Sequence, residues 1–534
     1  MFARLDPARR ADSLRSLTST EFDVLVVGGG VVGAGAALDA ASRGLSVALV
    51  EADDWAAGTS SRSSKLVHGG LRYLEQLEFK LVREALKERG LLLRRLAPHL
   101  VRPVPFLFPL KKQWERAYVG AGVLLYDSIG GAGAVPMHRH LSRRKMAALG
   151  PSLDSSAFAG AIRYYDAQMD DARLVLTLVR TAAQHGATVV SRARVDSLLR
   201  SDGVVSGARV DVDGSVVEVR ARRVISATGV WTDSLNALSP GAPPFHVRMS
   251  KGVHVLVDRS KIQLDGGLIT QTEKSVLFVI PWGRHWIIGT TDTPYDGDPA
   301  AVTATPEDLS YILDHVNAVL RSPLNVDDVV GVYAGLRPLL DGASGDTAKL
   351  SREHAVAQPE PGFFVIAGGK YTTYRVMAAD VVNAAVAGLG RAVAPSLTSR
   401  LPLCGAVGFQ ELWADRARVA AESGLPLSTV EHLLQRYGSA VSDVLALIAQ
   451  DASLASDVAG YLAAEIVYAV THEGALGLED VLARRTRIAI EHLDAGASVA
   501  PAVADLIAGP LGWSAAERDA AVQAYLASTE MVAR

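Results

Sequence analysis

The sequence predicts an α/β domain of Rossmann type, interleaved with a β-rich domain and followed by an all-α C-terminal domain. Three observations predict it. The apolar run Val24-Leu25-Val26-Val27 turns at Gly28-Gly29-Gly30 straight into a helix through Gly33. Buried-type strands ending in small residues return at Val224-Ile225-Ser226-Ala227-Thr228-Gly229 and at Phe363 to Gly369, with strand-like segments between them. After Pro395 the composition changes, and from Phe409 to Met531 nearly every segment has helical period.

The first unit spans residues 21–51. Gly28, Gly30 and Gly33 fill the three glycine places of the dinucleotide fingerprint: a tight turn, close backbone approach to a pyrophosphate, and close packing of helix on strand. The pyrophosphate then sits on the helix N-terminus, where free N–H groups and the dipole favour anions. Ser46-Val47-Ala48-Leu49-Val50 reads as the second strand, with Glu51 at its end. An acid there accepts hydrogen bonds from adenosine ribose hydroxyls and repels a 2′-phosphate, which favours FAD or NAD over NADP.

Ala57 to Gly70 is a Gly- and Ser-rich loop, and Leu71 to Leu96 has helical spacing. Pro103, Pro105 and Pro109 make Val104 to Phe108 an edge strand or extended segment. Leu174 to His185 is an amphipathic helix. Val189–Leu199, Val204–Val212 and Val216–Val224 follow as short strands around an Asp213-Gly214 turn. Residues 245–340 are mainly β, and a helix runs from Met377 to Leu389. Ser428-Thr429-Val430-Glu431 and Ser514-Ala515-Ala516-Glu517 are helix starts in the last domain. The expected domains are 21–95 with 160–240 and 341–395 for the nucleotide, 96–159 with 241–340 for a substrate (cap) domain, and 396–534 for the helices. A nucleotide domain interrupted by a sheet domain is typical of flavoprotein oxidoreductases, an argument from association.

At 534 residues the chain exceeds one core. A formal net charge of −3 gives no reason to expect nucleic acid. One cysteine, Cys404, excludes a disulfide framework and reads as a small core residue. His138-Arg139-His140 and the scattered histidines lack a convergent ligand set, and Asp53-Asp54 reads as turn chemistry, so no metal is expected. No secretory signal or membrane span is visible. The excess of arginine over lysine and the abundant alanine read as bacterial genome composition, and a cytoplasmic protein is expected.

The second informative stretch runs from Gly58 through Thr59, Ser60, Ser61, Arg62, Ser63, Ser64 and Lys65 to His68-Gly69-Gly70-Leu71-Arg72-Tyr73. A solvated loop explains the serines but not the glycines, which bring backbone close to something flat. With Ser226 to Asp233, Gly289 to Thr293, Leu336-Arg337-Pro338, Leu350-Ser351-Arg352, Gly368 to Arg375 and Leu478 to Thr486, this stretch resembles the signature of the FAD-dependent glycerol-3-phosphate dehydrogenases. The resemblance covers essentially residues 21–490. It implies FAD as cofactor, contacted by Thr59, Ser60, Ser61, Ser63, Ser64, Gly229, Asp292, Gly369, Lys370 and Thr372 besides the fingerprint glycines and Glu51. It further implies a quinone acceptor at the inner face of the cell membrane, and leaves a homodimer open.

The implied reaction moves the C2 hydrogen of glycerol 3-phosphate to the flavin as hydride and the hydroxyl proton to a base. Guanidinium forks suit the phosphate dianion, which makes Arg337 and Arg352 its candidates. Arg72, with Tyr73 beside it, is placed to bind phosphate or polarise the C2 oxygen. His68 is the first candidate base and His254 the second; Lys370 is the candidate cation near flavin N1 or the developing carbonyl. Lys111 to Tyr126 mixes basic residues, interfacial aromatics and an apolar stripe, which suits a helix lying on lipid, with Trp114, Tyr118 and Tyr126 at headgroup depth. Two other readings stay open: an oxidase that passes electrons to oxygen, and a non-catalytic nucleotide-binding module.

Overall fold

The computed structural model describes residues 2–70, 78–130, 135–240, 245–272, 276–340 and 354–532. Its first sheet is built around Phe22–Val27, which pairs in parallel with Val47–Val50 on one side and Ser215–Ser226 on the other. Parallel pairing continues outward to Thr188–Val190 and to Phe363–Gly368. Central strands carrying Val24, Leu25, Val26, Ala48 and Leu49 are buried on both faces, as a parallel sheet requires. On one face pack the helices Val31–Ser42, Asp171–Gln184 and Tyr374–Val386. The other face is covered by the antiparallel strands Ala193–Ser201 and Val204–Val212, which lead into the long Ser215–Ser226 strand. Asp213 and Gly214 both have positive φ, as the two-residue turn joining these strands demands.

Among the described residues the second sheet has ten strands. Val247–Asp258 lies between Val329–Leu340 and His285–Gly289, antiparallel to both. Val104 to Phe108, read from sequence as an edge strand or extended segment, belongs to the strand Arg102–Leu110, which is interior. It pairs along its whole length with Gly160–Gln168, and through Phe106 and Leu107 with Gly267–Leu268. Pro103, Pro105 and Pro109 occupy alternate positions, so their missing N–H groups fall on one side of the strand, where only two residues pair.

The helices from Phe409 to Val532 enclose two cores of their own. Ser514 realises its capping box with Glu517. Ser428 does not: the Leu427–Tyr437 helix begins one residue earlier, behind Pro426. Buried ion pairs join this domain to the first sheet. Asp54, expected as turn chemistry, is fully buried between Arg484 and Arg485, and Arg173 pairs with Glu473. Buried charges of this kind are tolerated only when paired, so they fix how the domain docks.

Candidate functional site

One cavity of about 1670 Å³ runs between the two sheets, from the first glycine turn to the Val247–Asp258 strand. Its nucleotide end is backbone-limited. Gly28 has φ +108°, and a Cβ there would stand 2.6 Å from the carbonyl oxygen of Ala227. A Cβ on Gly33 would collide with the Gly28 carbonyl, which is the close packing expected of the third fingerprint glycine; Gly33 itself stays out of the cavity wall. Gly30 faces the cavity with only Ser60 Oγ near it, at 3.1 Å. The Ser60 hydroxyl accepts the Val31 N–H at 3.0 Å, at the start of the Val31–Ser42 helix.

Glu51 stands at the outer end of this cradle. Its carboxylate accepts from Gly29 N at 2.6 Å and Asp53 N at 2.8 Å. Burial outweighs both bonds and pushes the carboxyl up to about 7. Hydroxyl donors from a ribose would relieve that desolvation. Gly28 and Gly33, which no Cβ can replace, an open Gly30, a helix N-terminus and a desolvated acceptor therefore fit the adenosine diphosphate half of FAD.

The Gly58–Lys65 loop forms the next stretch of wall. Thr59 donates to Leu336 O at 2.7 Å, which ties the loop to the residue before Arg337. Ser63 and Ser64 line the cavity. Ser61 does not: it is buried, and its hydroxyl turns back to Gly58 O, so its place is in the loop's own scaffold and not on the cofactor. Lys65 is fully buried, with φ +58° and its ammonium 4.9 Å from the Tyr333 ring centre. Burial, then Arg487, pushes it down to about 8 against the pull of Asp171.

Ser64 Oγ lies 2.8 Å from His254 Nε2. The His254 ring stacks on Tyr333, with centres 4.8 Å apart, and its Nδ1 is buried with no hydrogen-bond partner. Burial, then the charges of Arg337 and Lys65, holds His254 well below the ordinary imidazole range, so it stays neutral. Arg337 sits on the neighbouring strand, opposite Ser250. Its Nη2 donates to Thr290 Oγ1 at 3.0 Å, and it pairs with Asp292 at 3.5 Å. Gly252 makes room for it: a Cβ there would stand 2.6 Å from Nη2. Asp292 thus contacts Arg337 and Ser250, at the Val247–Asp258 end of the cavity.

His68, Gly229, Gly369, Lys370 and Thr372 all line the same cavity. Thr372 donates to His68 O at 3.3 Å, so the two loops meet, and His68 stands edge-on to Phe278. Gly369 has φ +77°. Arg72, Tyr73 and Arg352 lie outside the described residues. Among the described residues no group of acids, histidines or cysteines could hold a metal ion.

The helix Glu115–Gly130 borders the cavity through Val119 and Leu125. Its exposed stripe is apolar: Trp114 just before it, then Tyr118, Leu124 and Leu125, are 62%, 60%, 50% and 42% exposed. Phe79, 44% exposed, adds to the same rim of the cavity. Tyr126 does not belong to this stripe. It is buried, donates to Asp166 at 2.7 Å and accepts from Gly69 N at 2.7 Å. Helical phase turns it inward, away from any headgroup.

Sequence reasoning missed the buried supports of this site. Asp170 and Asp171 receive Arg487 from the helical domain. Arg62, inside the Gly58–Lys65 stretch, is another. Its side chain lines the cavity near Asp53, Glu479 and Arg484.

Residues 23–379 match the family described as FAD dependent oxidoreductase, and residues 396–518 match the C-terminal domain of alpha-glycerophosphate oxidase. The chain is 57% identical over 534 residues to glycerol-3-phosphate dehydrogenase 2 of Mycobacterium tuberculosis, covering 99% of this chain and 91% of that one. It is 37% identical over 538 residues to the mitochondrial glycerol-3-phosphate dehydrogenase of Homo sapiens, covering 96% and 73%. Among solved structures, the glycerol-3-phosphate dehydrogenase from Bacillus halodurans complexed with FAD superposes with a TM-score of 0.82 at 29% identity, covering 99% of each chain.

Proposed function

The chain belongs to the FAD-dependent glycerol-3-phosphate dehydrogenase family, and from that membership we propose that it oxidises sn-glycerol 3-phosphate to dihydroxyacetone phosphate and delivers the electrons to a membrane quinone. It is an FAD-dependent oxidoreductase. The observation that carries the substrate reading is that Arg337 and a neutral His254, on adjacent strands of one sheet, line the same cavity.

FAD, when bound, supplies the hydride acceptor. The chain's own residues supply the rest. Arg337, braced by Thr290 and Asp292, presents a guanidinium to the phosphate dianion. His254 takes the hydroxyl proton: it lines the cavity, it lies near Arg337, and it is held unprotonated. His68, the first candidate from the sequence, lines the same cavity and is the alternative for that proton. Lys370, at the head of the Tyr371–Thr373 turn, stabilises negative charge at the flavin or on the product oxygen. Arg72, Tyr73 and Arg352 are carried as further substrate contacts from the family motifs.

The acceptor reading rests on the Glu115–Gly130 helix. Among the described residues no helix is long and apolar enough to cross a membrane. An exposed apolar stripe at the rim of the cavity, preceded by the exposed Lys111 and Lys112, supports a peripheral enzyme that meets lipid there. Anaerobic addition of glycerol 3-phosphate to the yellow protein tests the first half: bleaching supports it, and an unchanged spectrum overturns it. Reoxidation by a quinone analogue, and not by dissolved oxygen, tests the second. Fast oxygen turnover with stoichiometric peroxide would make the enzyme an oxidase.

A further inference from the structure

Asp171 opens the Asp171–Gln184 helix with a fully buried carboxylate. Each oxygen has separate work. Oδ2 accepts the Ser63 backbone N–H at 2.9 Å and the Ser63 hydroxyl at 2.7 Å. Oδ1 accepts Lys65 Nζ at 2.8 Å, the Ala172 N–H at 3.0 Å, and the Arg487 guanidinium. The Asp171 carbonyl accepts the Tyr371 hydroxyl at 2.6 Å, beside Lys370. Arg487 and Lys65 also meet on Ser61 O, at 3.4 and 3.0 Å. Tyr333 donates to Ser63 O at 2.9 Å, and the next residue, Ser64, bonds His254.

One carboxylate therefore grips the cofactor loop from inside, and a cation of the helical domain grips the carboxylate. We propose that Asp171, held by Arg487, is the positioning residue for the Ser63–Ser64 segment and, through it, for His254 and the bound flavin. The helical domain then has a task in the reaction: it locks the loop on which flavin and histidine are both aligned. This rests on the cavity being the flavin site.

The arrangement makes a sharp demand. An amide at position 171 turns one oxygen into a donor. Either the Ser63 pair or the Lys65–Arg487 pair then faces a donor across a buried contact, where an unmade hydrogen bond is costly. Asp171→Asn should raise the FAD dissociation constant about tenfold or more and lower kcat, because two charge-assisted bonds to the loop fail. KM for glycerol 3-phosphate should stay within about twofold, because the Arg337 guanidinium is anchored on Thr290 and Thr291, and the loop's tie to Leu336 runs through Thr59 and not through the Ser63–Ser64 segment. Arg487→Lys, which keeps the charge but not the fork, should fall between wild type and Asp171→Asn.

The control is Glu473→Gln. Glu473 joins the same helix to the same domain through Arg173, at 2.5 and 2.7 Å, without touching the loop. It should lower the melting temperature and leave FAD affinity and kcat near wild type. Ser63→Ala covers the case in which Asp171→Asn does not fold, since it removes one hydroxyl bond and leaves the ion pairs. It should move FAD affinity and kcat in the same direction by less. FAD affinity is read by quenching of free-flavin fluorescence on titration into stripped apoprotein. Asp171→Asn or Ser63→Ala with wild-type FAD affinity and kcat overturns the proposal. So does Glu473→Gln losing FAD as readily as Asp171→Asn, which would make the effect one of domain docking alone. Wild-type protein that takes up no FAD would instead sink the functional reading itself.

Discussion

A Cβ added to Gly33 would collide with the carbonyl oxygen of Gly28. At Gly30, two residues beyond that turn, a Cβ meets only a serine hydroxyl and points at the cavity. The three fingerprint glycines are therefore not equivalent, and their variants should fail in different ways.

Gly33→Ala opposes backbone to side chain, with nothing flexible to yield. It should destabilise the fold by at least the ~1–3 kcal/mol usual for overpacking. Gly30→Val should fold with a nearly normal melting temperature and come out colourless, because its side chain occupies the pyrophosphate path. The check is the ratio of flavin to protein absorbance beside a thermal melt. A yellow Gly30→Val protein with full flavin content would remove the diphosphate from this turn.

Arg337→Ala should leave flavin content unchanged and raise KM for glycerol 3-phosphate on the order of tenfold to a hundredfold, the loss of charge-assisted bonds in a partly desolvated site. Arg337→Lys should recover only part, since an ammonium cannot reproduce the fork. Steady-state kinetics on glycerol 3-phosphate and on glycerol separate the terms: the preference for the phosphate ester should shrink. An unchanged KM in Arg337→Ala would make this arginine a brace for Asp292 and Thr290 only.

Glu51 predicts how cofactor affinity varies with pH. Burial raises its carboxyl from an ordinary 4.5 to about 7 in the protein without nucleotide. A raised folded value favours the protonated form. Its contribution to apoprotein stability is thus complete below about 4.5 and lost as pH rises through about 7. Ribose hydroxyls that donate to the carboxylate favour the charged form instead. FAD binding should therefore release protons, and affinity should rise with pH across this window. Glu51→Gln, which cannot ionise, should bind FAD more weakly and without that slope. Titration calorimetry in buffers of different ionisation enthalpy counts the protons; uptake in place of release would contradict the ribose assignment.

What the sequence made legible is what it writes contiguously. The strand, three glycines, helix, strand and acid from Val24 to Glu51 stand in one stretch, and their spacing carries their function. Arg337 was visible because it sits in a short ordered motif. The buried supports were not, because their partners are distant: Arg487 reaches Asp171 across 316 positions, and Asp54 meets Arg485 across 431. Each looks like an ordinary surface charge until the domains dock. Arg102–Leu110 misled for a related reason. Proline composition marks an edge, but only the fold shows that all three missing donors face the same short pairing. Tyr126 misled through phase, since an aromatic tally over a helix does not say which residues share a face.

The face that Tyr126 leaves makes the last prediction. Trp114, Tyr118 and Leu125 stand four and seven residues apart with Leu124 beside them, and all four are exposed while Val123 and Tyr126 fill the buried face, so the helix is apolar on both sides. Protein should therefore sediment with vesicles of anionic phospholipid. Added salt should weaken that binding, because Lys111 and Lys112 each contribute about 1 kcal/mol near a charged surface. Salt should not abolish it, because apolar burial at about 25 cal/mol per Å² is unscreened. Trp114→Ser with Leu124→Ser removes two large side chains from the stripe without touching the cavity wall, and should lower vesicle affinity at least about tenfold. The same variant should be bleached by glycerol 3-phosphate as fast as wild type, while its turnover with a lipid-embedded quinone falls and its turnover with a water-soluble dye does not. That split is the informative result. Equal loss with both acceptors would mean that the helix shapes the flavin site. No loss with either, together with undiminished vesicle binding, would move the lipid contact to another surface.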